Sequence, residues 1–288
     1  EREMCIRDGV GEVDVAGYAG PDMTIMAEHL TEGGIEEFAY QQEPDSVVWA
    51  LRSDGDLLGL TYRREEQVVA WHKHEIGGSG VVESIATLPT DTGEDELYMI
   101  VKRTINSTTK RYIEKLSLFD FGNETTGSFF VDSGLSYSGS SATAMTGLHH
   151  LAGETVNVLA NGAAHPDETV TSDGKLTLDY SSTTAAIGYG YDSTMQTMRI
   201  ESGSSDGTSQ GKPKRVHAVT VRLHETDGAK IGNDSTEVTP LPSRSTYLPL
   251  NQSVPVINRH TPYTLPGVLA EHAKLYPNQH QHTNNTDP

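Results

Sequence analysis

The chain has 288 residues, enough to bury a sizeable core, and this length is typical of about two domains. Its 40 acidic residues outnumber its 21 basic residues, and the net charge of -19 excludes tight binding to nucleic acid, which depends on lysine and arginine displacing counterions. No apolar run reaches the roughly 20 residues that cross a bilayer, and the single cysteine, Cys5, excludes an internal disulfide or a thiolate metal cage.

Composition narrows the fold class but leaves the role of the charge open. Gly, Ser and Thr are plentiful and apolar residues are modest in number, as in a loop-rich all-β protein. The negative charge can serve solubility, suit a saline habitat, or line a passage through which DNA slides without sticking. Charge alone does not choose among these three interpretations.

The start of the chain is predicted to be non-native or disordered over residues 1–20. This stretch lacks apolar periodicity, and no basic run followed by an apolar one marks a secretory signal. Residues 2–8 resemble the translation of a sequencing adapter that recurs at the ends of environmental gene fragments. On that interpretation the native chain starts near Gly9–Val13 and has a further portion upstream.

A short amphipathic helix is predicted at Asp22–Leu30. Its apolar side chains fall on one helical face, Asp22 suits the N-cap and Gly33–Gly34 suits the end. We expect this helix to pack on the first strands. Met26 and His29, which lie on or beside the apolar face, are interpreted as packing residues rather than ligands.

The stretch Ser46–Leu116 predicts an antiparallel β-meander. Apolar and polar residues alternate, Val, Ile, Trp and Tyr are concentrated, and Asp54–Gly55 is a strong hairpin signal. The predicted strands are Ser46–Arg52, Leu57–Arg63, Val68–Glu75, Val81–Leu88, Glu96–Ile105 and Lys110–Phe119. The predicted turns and loops between them are Ser53–Asp56, Arg64–Gln67, Ile76–Gly80, Thr90–Asp95 and Asn106–Thr109.

Two segments at the ends of this meander are similar to each other. Asp45–Arg52 and Asp95–Arg103 both run acidic, apolar, aromatic, apolar, basic, and their aromatic residues Trp49 and Tyr98 are 49 positions apart. The spacing fits one four-stranded propeller blade with its connection. An ordinary meander in a β-sandwich is the alternative.

A second β-rich unit, of sandwich or barrel type, is predicted over residues 128–232, after the linker Asp120–Gly127. Its predicted strands are Phe129–Val131, Thr155–Leu159, Glu168–Val170, Lys175–Leu178, Ala185–Tyr189, Thr197–Glu201 and Arg215–His224. Its predicted turns are Ala160–Gly162, Ser172–Gly174 and Thr226–Gly228. Ser136–Thr146 and Ser202–Gly211 have the small-residue composition of exposed, flexible loops.

The remaining residues, 233–288, are predicted to be a Pro-rich, loosely structured segment. Eight prolines occur from Pro240 to Pro288, which disfavours both a helix and the interior of a sheet. Gly267–Leu275 alone has a helix-compatible pattern, and the polar end from Asn278 is predicted to be disordered. The predicted organisation is therefore a start at 1–20, a β-meander domain with one short helix at 21–120, a second β-rich domain at 128–232 and this segment.

Histidine pairs are the strongest metal candidates in the sequence. His72 and His74 share one face of a predicted strand, but no third ligand is tied to them by local spacing. We therefore favour a solvent-facing strand edge with Trp71 pointing inward. His149 and His150 are adjacent and point apart, and the tail residues His280 and His282 bind metal only adventitiously.

Other chemical motifs fail on spacing. The acidic residues of Asp91–Glu96 and the pair Asp54 and Asp56 do not match a calcium loop. Gly134–Gly139 lacks the spacing of a nucleophile elbow, and the basic cluster Lys212–Arg215 is better interpreted as a solvated loop than as a phosphate site. The sequence therefore predicts no catalytic, cofactor-binding or metal-binding residues and no enzyme activity.

Several segments of the chain occur in an order that resembles a known family. They are Ser46–Gly55, Leu60–His72, Val82–Ile85, Lys102–Asn106, Arg111–Glu114, Gly147–Val156 and Gly211–Gly232. The resemblance is to tailed-bacteriophage virion proteins of the tail-nozzle or tail tubular protein B type, related to packaged-DNA-stabilisation proteins. It covers about residues 24–232, is most specific over residues 46–116, and matches the segment after Asn233 poorly.

The resemblance implies a propeller-like β-platform in a homohexameric ring. Such a ring contacts adjacent tail or portal-adaptor proteins and lets DNA pass outward without binding it specifically. The protein is then made in the host cytoplasm and located in the virion tail, with no membrane insertion. The family has no active site to transfer to this chain.

Two alternatives from other classes stay open. One is a tail-associated carbohydrate-binding or carbohydrate-cleaving β-protein with Trp49, Trp71 and Tyr112 as sugar platforms. The other is a host β-protein with no phage role. Burial of the tryptophans separates the first alternative from the structural interpretation, which predicts that Trp49 and Trp71 are core residues.

Overall fold

A computed structural model of the protein describes residues 12–14, 17–19, 22–91, 93–117, 121–122, 124–198, 201, 208, 216, 218–226, 229–232, 238–241, 257–264, 274–277 and 284–285. The strands of its first half are β1 (Glu12–Asp14), β2 (Gly17–Ala19), β3 (Ile35–Gln41), β4 (Val47–Arg52), β5 (Leu57–Arg63), β6 (Val68–His74), β7 (Val81–Pro89), β8 (Asp95–Ile105) and β9 (Thr108–Lys115). The strands of its second half are β10 (Asp132–Met145), β11 (Thr155–Ala160), β12 (Ala163–Thr169), β13 (Leu176–Tyr189), β14 (Met195–Gln196), β15 (Ala218–Thr226), β16 (Ala229–Gly232), β17 (Val238–Leu241), β18 (Ile257–Thr264), β19 (Lys274–Pro277) and β20 (Asn284–Asn285). The helical segments are the α-helix α1 (Glu28–Thr31) and the 3-10 helices Thr125–Gly127 and His149–Leu151.

The all-β prediction is confirmed, because regular structure in the described residues is almost entirely antiparallel sheet. A four-stranded sheet has the order β3-β4-β5-β6, and an eight-stranded sheet has the order β12-β11-β13-β10-β20-β9-β8-β7. A second four-stranded sheet is ordered β14-β19-β16-β17, and β1-β2 and β15-β18 form separate pairs. Within the described part of the chain, these sheets form neither a closed barrel nor a closed propeller.

The predicted single meander is two meanders in separate sheets. Strands β3 to β6 form the first, and β7 to β9 begin the eight-stranded sheet. The chain leaves the first sheet in the predicted glycine-rich turn, where Gly78 and Ser79 have φ values of 66° and 53°. The strand that follows this turn, β7, pairs with β8 in the second sheet.

The two meanders pack face to face. Trp49, Leu51 and Leu57 of the first sheet share one buried apolar cluster with Met99 and Val101 of the second. Alternation explains this arrangement, because every second residue of β4 and β8 points into the space between the sheets. The two similar segments of the sequence therefore occupy strands of facing sheets, but Trp49 points inward whereas Tyr98 is half-buried on the outer face.

The opposite face of the first sheet is covered by the segment that precedes it. Ala50 and Leu58 are fully buried there with Leu30 and Phe38 packed against them. The predicted helix over residues 22–30 is wrong in extent, since residues 23–27 form turns and α1 begins only at Glu28. Met26 is consequently 78% exposed instead of packed.

Short hairpins set the register of both halves. Asn106 and Ser107 form a two-residue turn between β8 and β9, both with positive φ. Asn161 and Gly162 do the same between β11 and β12, as the sequence predicts. Positive φ at both turn positions matches the right-handed twist of the flanking strands.

The second half contains two long strands that sequence analysis did not predict as such. The predicted loop Ser136–Thr146 lies almost wholly within β10, which pairs with β13 through several bulges. The two predicted strands Lys175–Leu178 and Ala185–Tyr189 fall mainly within the single strand β13. The predicted strand Phe129–Val131 is not one, because strand pairing starts at Asp132.

A second apolar cluster lies under these long strands. Leu148, Leu151 and Val158 are buried in it together with Ile187, and Ile105 reaches it from the end of β8. A strand of the first half thus contributes to the core of the second half. The predicted domain boundaries near residues 120 and 128 remain a prediction.

The predicted strand at Arg215–His224 is β15, and it pairs with β18 from the Pro-rich segment. Pro240 lies in β17, an edge strand, where a missing backbone N–H is tolerated. Of the helix-compatible segment Gly267–Leu275, the last two residues lie in β19, and the others fall outside the described residues. No helix in the described ranges is long and apolar enough to cross a bilayer.

Candidate functional site

A buried charged cluster lies where β8 and β9 meet β10 and β13. Arg103 on β8 is 1% exposed and forms a two-pronged ion pair with buried Glu114 on β9, with nitrogen-to-oxygen distances of 2.6 and 2.8 Å. Its third donor group binds the carbonyl of Gly77, and its guanidinium carbon lies 5.5 Å from the centre of the Tyr189 ring. One side chain therefore connects two strands, the turn after β6 and the end of β13.

A second buried carboxylate completes this cluster. Asp132 at the start of β10 accepts the Gly77 N–H at 2.5 Å. Burial raises the pKa of Tyr191, and the Asp132 charge raises it further. Burial also raises the pKa of Tyr189, with Glu154 adding to the effect. The two phenols therefore stay neutral at physiological pH.

The protonation of Arg103 is equally well defined. Burial acts to lower the pKa of its guanidinium, but the hydrogen bonds and charge of Glu114 outweigh burial and raise it. Because Arg103, Glu114 and Asp132 are buried, a substrate in solvent cannot reach them. The cluster holds strands together and presents no reactive group to a ligand.

Sequence analysis did not single out this cluster, although one signal for it exists. Arg103 lies on the same face of β8 as the buried residues Leu97, Met99, Val101 and Ile105, because side chains alternate between the two faces of a strand. An arginine in an inward-pointing series needs a buried partner. The sequence alone does not say that this partner is Glu114.

The histidine pair of β6 lies on the core-facing side of the first sheet. His72 Nδ1 and His74 Nε2 are 2.9 Å apart, and the ring centres lie 6.0 and 5.0 Å from that of Trp49. Both histidines are half-buried, so the predicted solvent-facing edge is wrong. The space for His72 comes from Gly59 on β5, where a Cβ atom would lie 2.2 Å from the ring.

The three candidate sugar platforms are not brought together. Trp49 is 3% exposed and donates to Gln41 at 2.8 Å, which confirms the prediction that it is a core residue. Trp71 is half-buried on the opposite face of the sheet and donates to the Met23 carbonyl at 2.9 Å. Tyr112 is half-buried and donates to the carbonyl of His150.

One group of three side chains has the donor set of a cation site. Ligand atoms of His165, Glu168 and Asp179 lie within 4.8 Å of one another, because a bulge in β12 puts the first two on one face. However, His165 Nδ1 donates to the Pro166 carbonyl at 2.8 Å and Nε2 accepts the Asp179 N–H at 3.0 Å. Since both ring nitrogens are used, His165 serves as a structural residue.

The predicted acidic clusters make structural contacts. Arg52 binds Asp54 and Asp56, and its hydrogen bond lowers the pKa of Asp54 to about 2. Asp95 accepts the backbone N–H of Gln42 at 2.8 Å, and Glu96 pairs with Lys115. These carboxylates stabilise turns and strand ends.

The other residues that sequence analysis considered lie apart from one another or fall outside the described residues. His149 and His150 lie in one 3-10 helix and point apart, the first towards Gly174 and the second to the Ser133 carbonyl. Gly134–Gly139 lies within β10. The basic cluster Lys212–Arg215 and the tail histidines fall outside the described residues.

Fold and site together define an all-β protein of packed antiparallel sheets, whose described polar clusters stabilise the contacts between strands. No protein-family model matches the chain, and no curated protein is significantly similar to it. The resemblance to phage tail proteins therefore depends on the sequence segments given above.

Proposed function

We propose that the chain is a structural component of a phage tail, a nozzle-like ring subunit that forms part of the conduit for DNA ejection. The observation that carries this proposal is the way the sheets are joined. Strands linked by short turns pack face to face, and the buried Arg103–Glu114 pair is bonded to the turn after β6 and lies beside Tyr189 of β13. Such a unit resists deformation, as the wall of a conduit must.

The charge of the chain supports the same proposal. A net charge of -19 repels a polyanion, so DNA passing through a ring of such subunits is not retained. The ion pairs on the described surface, such as Arg111–Glu83, neutralise basic side chains that would otherwise bind phosphate. The ring partners of the subunit are then further copies of itself and adjacent tail or portal-adaptor proteins.

The carbohydrate alternative receives no support from the aromatic residues. Sugar platforms are exposed rings with free faces, whereas Trp49 lies in the core between two sheets. Trp71 and Tyr112 are half-buried and lie on different sheets. We therefore retain the structural role alone.

The mass of the purified chain in solution tests the proposal. A ring subunit forms a homo-oligomer, and light scattering after size-exclusion chromatography is expected to give about six times the chain mass of 31.2 kDa. A mass of one chain at every concentration up to about 100 μM would contradict a ring subunit, since stable homo-oligomers assemble well below that level.

A further inference from the structure

The outer face of the first four-stranded sheet, β3 to β6, is covered over only part of its area. The segment that precedes the sheet packs on the part around Leu58. On the rest of this face, Tyr40 is 52% exposed and Val69 is 46% exposed. Strand pairing places Tyr40 beside Val48 and Val69 beside Tyr62, and these two partners are half-buried. We call Tyr40, Val48, Tyr62 and Val69 the tyrosine surface.

A second apolar surface lies on the outer face of strands β7 to β9. Ile100 on β8 is 38% exposed, and the residue that pairs with it on β9, Ile113, is 55% exposed. Ala86 on β7 is exposed, and Tyr98, which pairs with it, is half-buried. We call Ala86, Tyr98, Ile100 and Ile113 the isoleucine surface.

The two surfaces point in opposite directions. Trp49 and Leu57 of the first sheet share a buried cluster with Met99 and Val101 of the second, and the residues that alternate with them point away from that cluster. The tyrosine surface and the isoleucine surface therefore lie on opposite outer sides of the packed meanders and cannot contact each other within one chain. Exposed apolar groups that cluster in this way mark binding surfaces for another protein, and tyrosine is among the residues enriched in such interfaces.

Charge distinguishes the surroundings of the two surfaces. The loops at 42–46 and 64–67, next to the tyrosine surface, carry one basic residue, Arg64, and four exposed acidic residues, Glu43, Asp45, Glu65 and Glu66. The isoleucine surface is bordered instead by two acidic residues, Glu83 and Glu96, and by three basic residues, Lys102, Arg111 and Lys115. Opposite charges favour contact between the two different surfaces, whereas two copies of the tyrosine surface would bring like charges together.

We propose that copies of this chain associate head to tail, with the tyrosine surface of one copy bound to the isoleucine surface of the next. Such a contact repeats from copy to copy and closes into a ring when the rotation between neighbours allows it, whereas a contact between two identical surfaces ends at a dimer. The inference rests on the proposed function, because it names the surfaces by which the ring subunit binds its own copies.

Light scattering of two variants of the full chain tests the proposal. Val69→Asp disrupts the tyrosine surface and Ile113→Asp disrupts the isoleucine surface, because each places a charge in an apolar contact. Each variant alone is expected to have the mass of one chain, whereas the unaltered chain forms the larger ring. Met195→Asp is the matched control, since Met195 is 54% exposed but lies on β14 in another sheet, and this variant should retain the mass of the unaltered chain.

An equal mixture of the two variants gives the decisive result. Each variant keeps one intact surface, so the mixture, at about 100 μM of each chain, is expected to form a complex of two chains and nothing larger. A mixture with the mass of one chain would overturn the proposal. A dimer in either variant alone would overturn it too, since that dimer needs a contact between identical surfaces.

The outcomes separate this inference from the proposed function. An unaltered chain with the mass of one chain contradicts the ring and this contact together. An unaltered oligomer whose mass both variants retain contradicts the contact alone. Circular dichroism shows whether each variant folds, and Tyr40→Asp or Ile100→Asp replaces a variant that does not.

Discussion

Arg103 places a full positive charge in the protein interior. The other buried residues on the same face of β8 are apolar. Such a charge is tolerated only when every donor has a partner. Glu114 takes two of its donor groups and the Gly77 carbonyl takes a third, while the Tyr189 ring covers its face. The residue therefore determines how the turn after β6 meets the second half of the chain.

Replacing Arg103 by methionine should lower the free energy of unfolding by about 3–5 kcal/mol, because Glu114 is then left buried without its partner. Urea denaturation followed by circular dichroism measures the change. Arg111→Met is the matched control. It removes a similar two-pronged pair with Glu83 from an exposed position and should cost far less stability than Arg103→Met.

The double change Arg103→Met with Glu114→Leu separates an unpaired charge from lost packing. Removing both charges should recover much of the stability that Arg103→Met loses, since no buried carboxylate remains unpaired. Equal losses in Arg103→Met and Arg111→Met would mean that the buried pair does not stabilise the junction.

At the scale of elements, the pairing of β10 with β13 depends on close approach at Gly188. A Cβ atom there would lie 2.6 Å from the Asp132 carbonyl oxygen and 2.8 Å from the Cα of Gly134. Both neighbours are backbone atoms of the paired strand β10, so they cannot rotate away as a side chain could. Gly188 is therefore needed for the close pairing of the two longest strands, and not for a turn.

Gly188→Ala should destabilise the protein by about 1–3 kcal/mol or more, as overpacking against fixed backbone does. Gly139→Ala in β10 is the control, because its Cβ would meet only the ring end of Tyr137, a half-buried side chain. Urea denaturation of both variants is the measurement. A Gly188→Ala chain as stable as Gly139→Ala would contradict the described pairing.

Sequence analysis predicted best the strands that are marked by alternation within the strand and by turn residues next to it. Strands β4 to β9 alternate clearly and are bounded by turns such as Asp54–Gly55 and Asn106–Ser107, so their ends fell within a few residues of the prediction. The loop prediction for Ser136–Thr146 failed because small residues carry no alternation there. Pairing with β13 supplies the hydrogen bonds that composition does not reveal.

The candidate site was harder to predict than the strands. His72 and His74 were placed on one face correctly, but the face that the core covers depends on Trp49 and Gly59 of neighbouring strands. The Arg103–Glu114 pair crosses two strands and was missed altogether. Contacts between strands depend on register, which a single sequence fixes only in part.

At the scale of the whole molecule, the first meander packs on β7 to β9, and these strands belong to the same eight-stranded sheet as β10 and β13. Ile105 belongs to the cluster of the second half although its strand begins in the first. Strand β8 therefore contributes residues to both apolar clusters.

The most direct test of the ring proposal is negative-stain electron microscopy of the purified chain. The proposal predicts closed rings of about six subunits with a central opening wide enough for duplex DNA to pass. Single globular particles, or open filaments without a central hole, would contradict a conduit subunit.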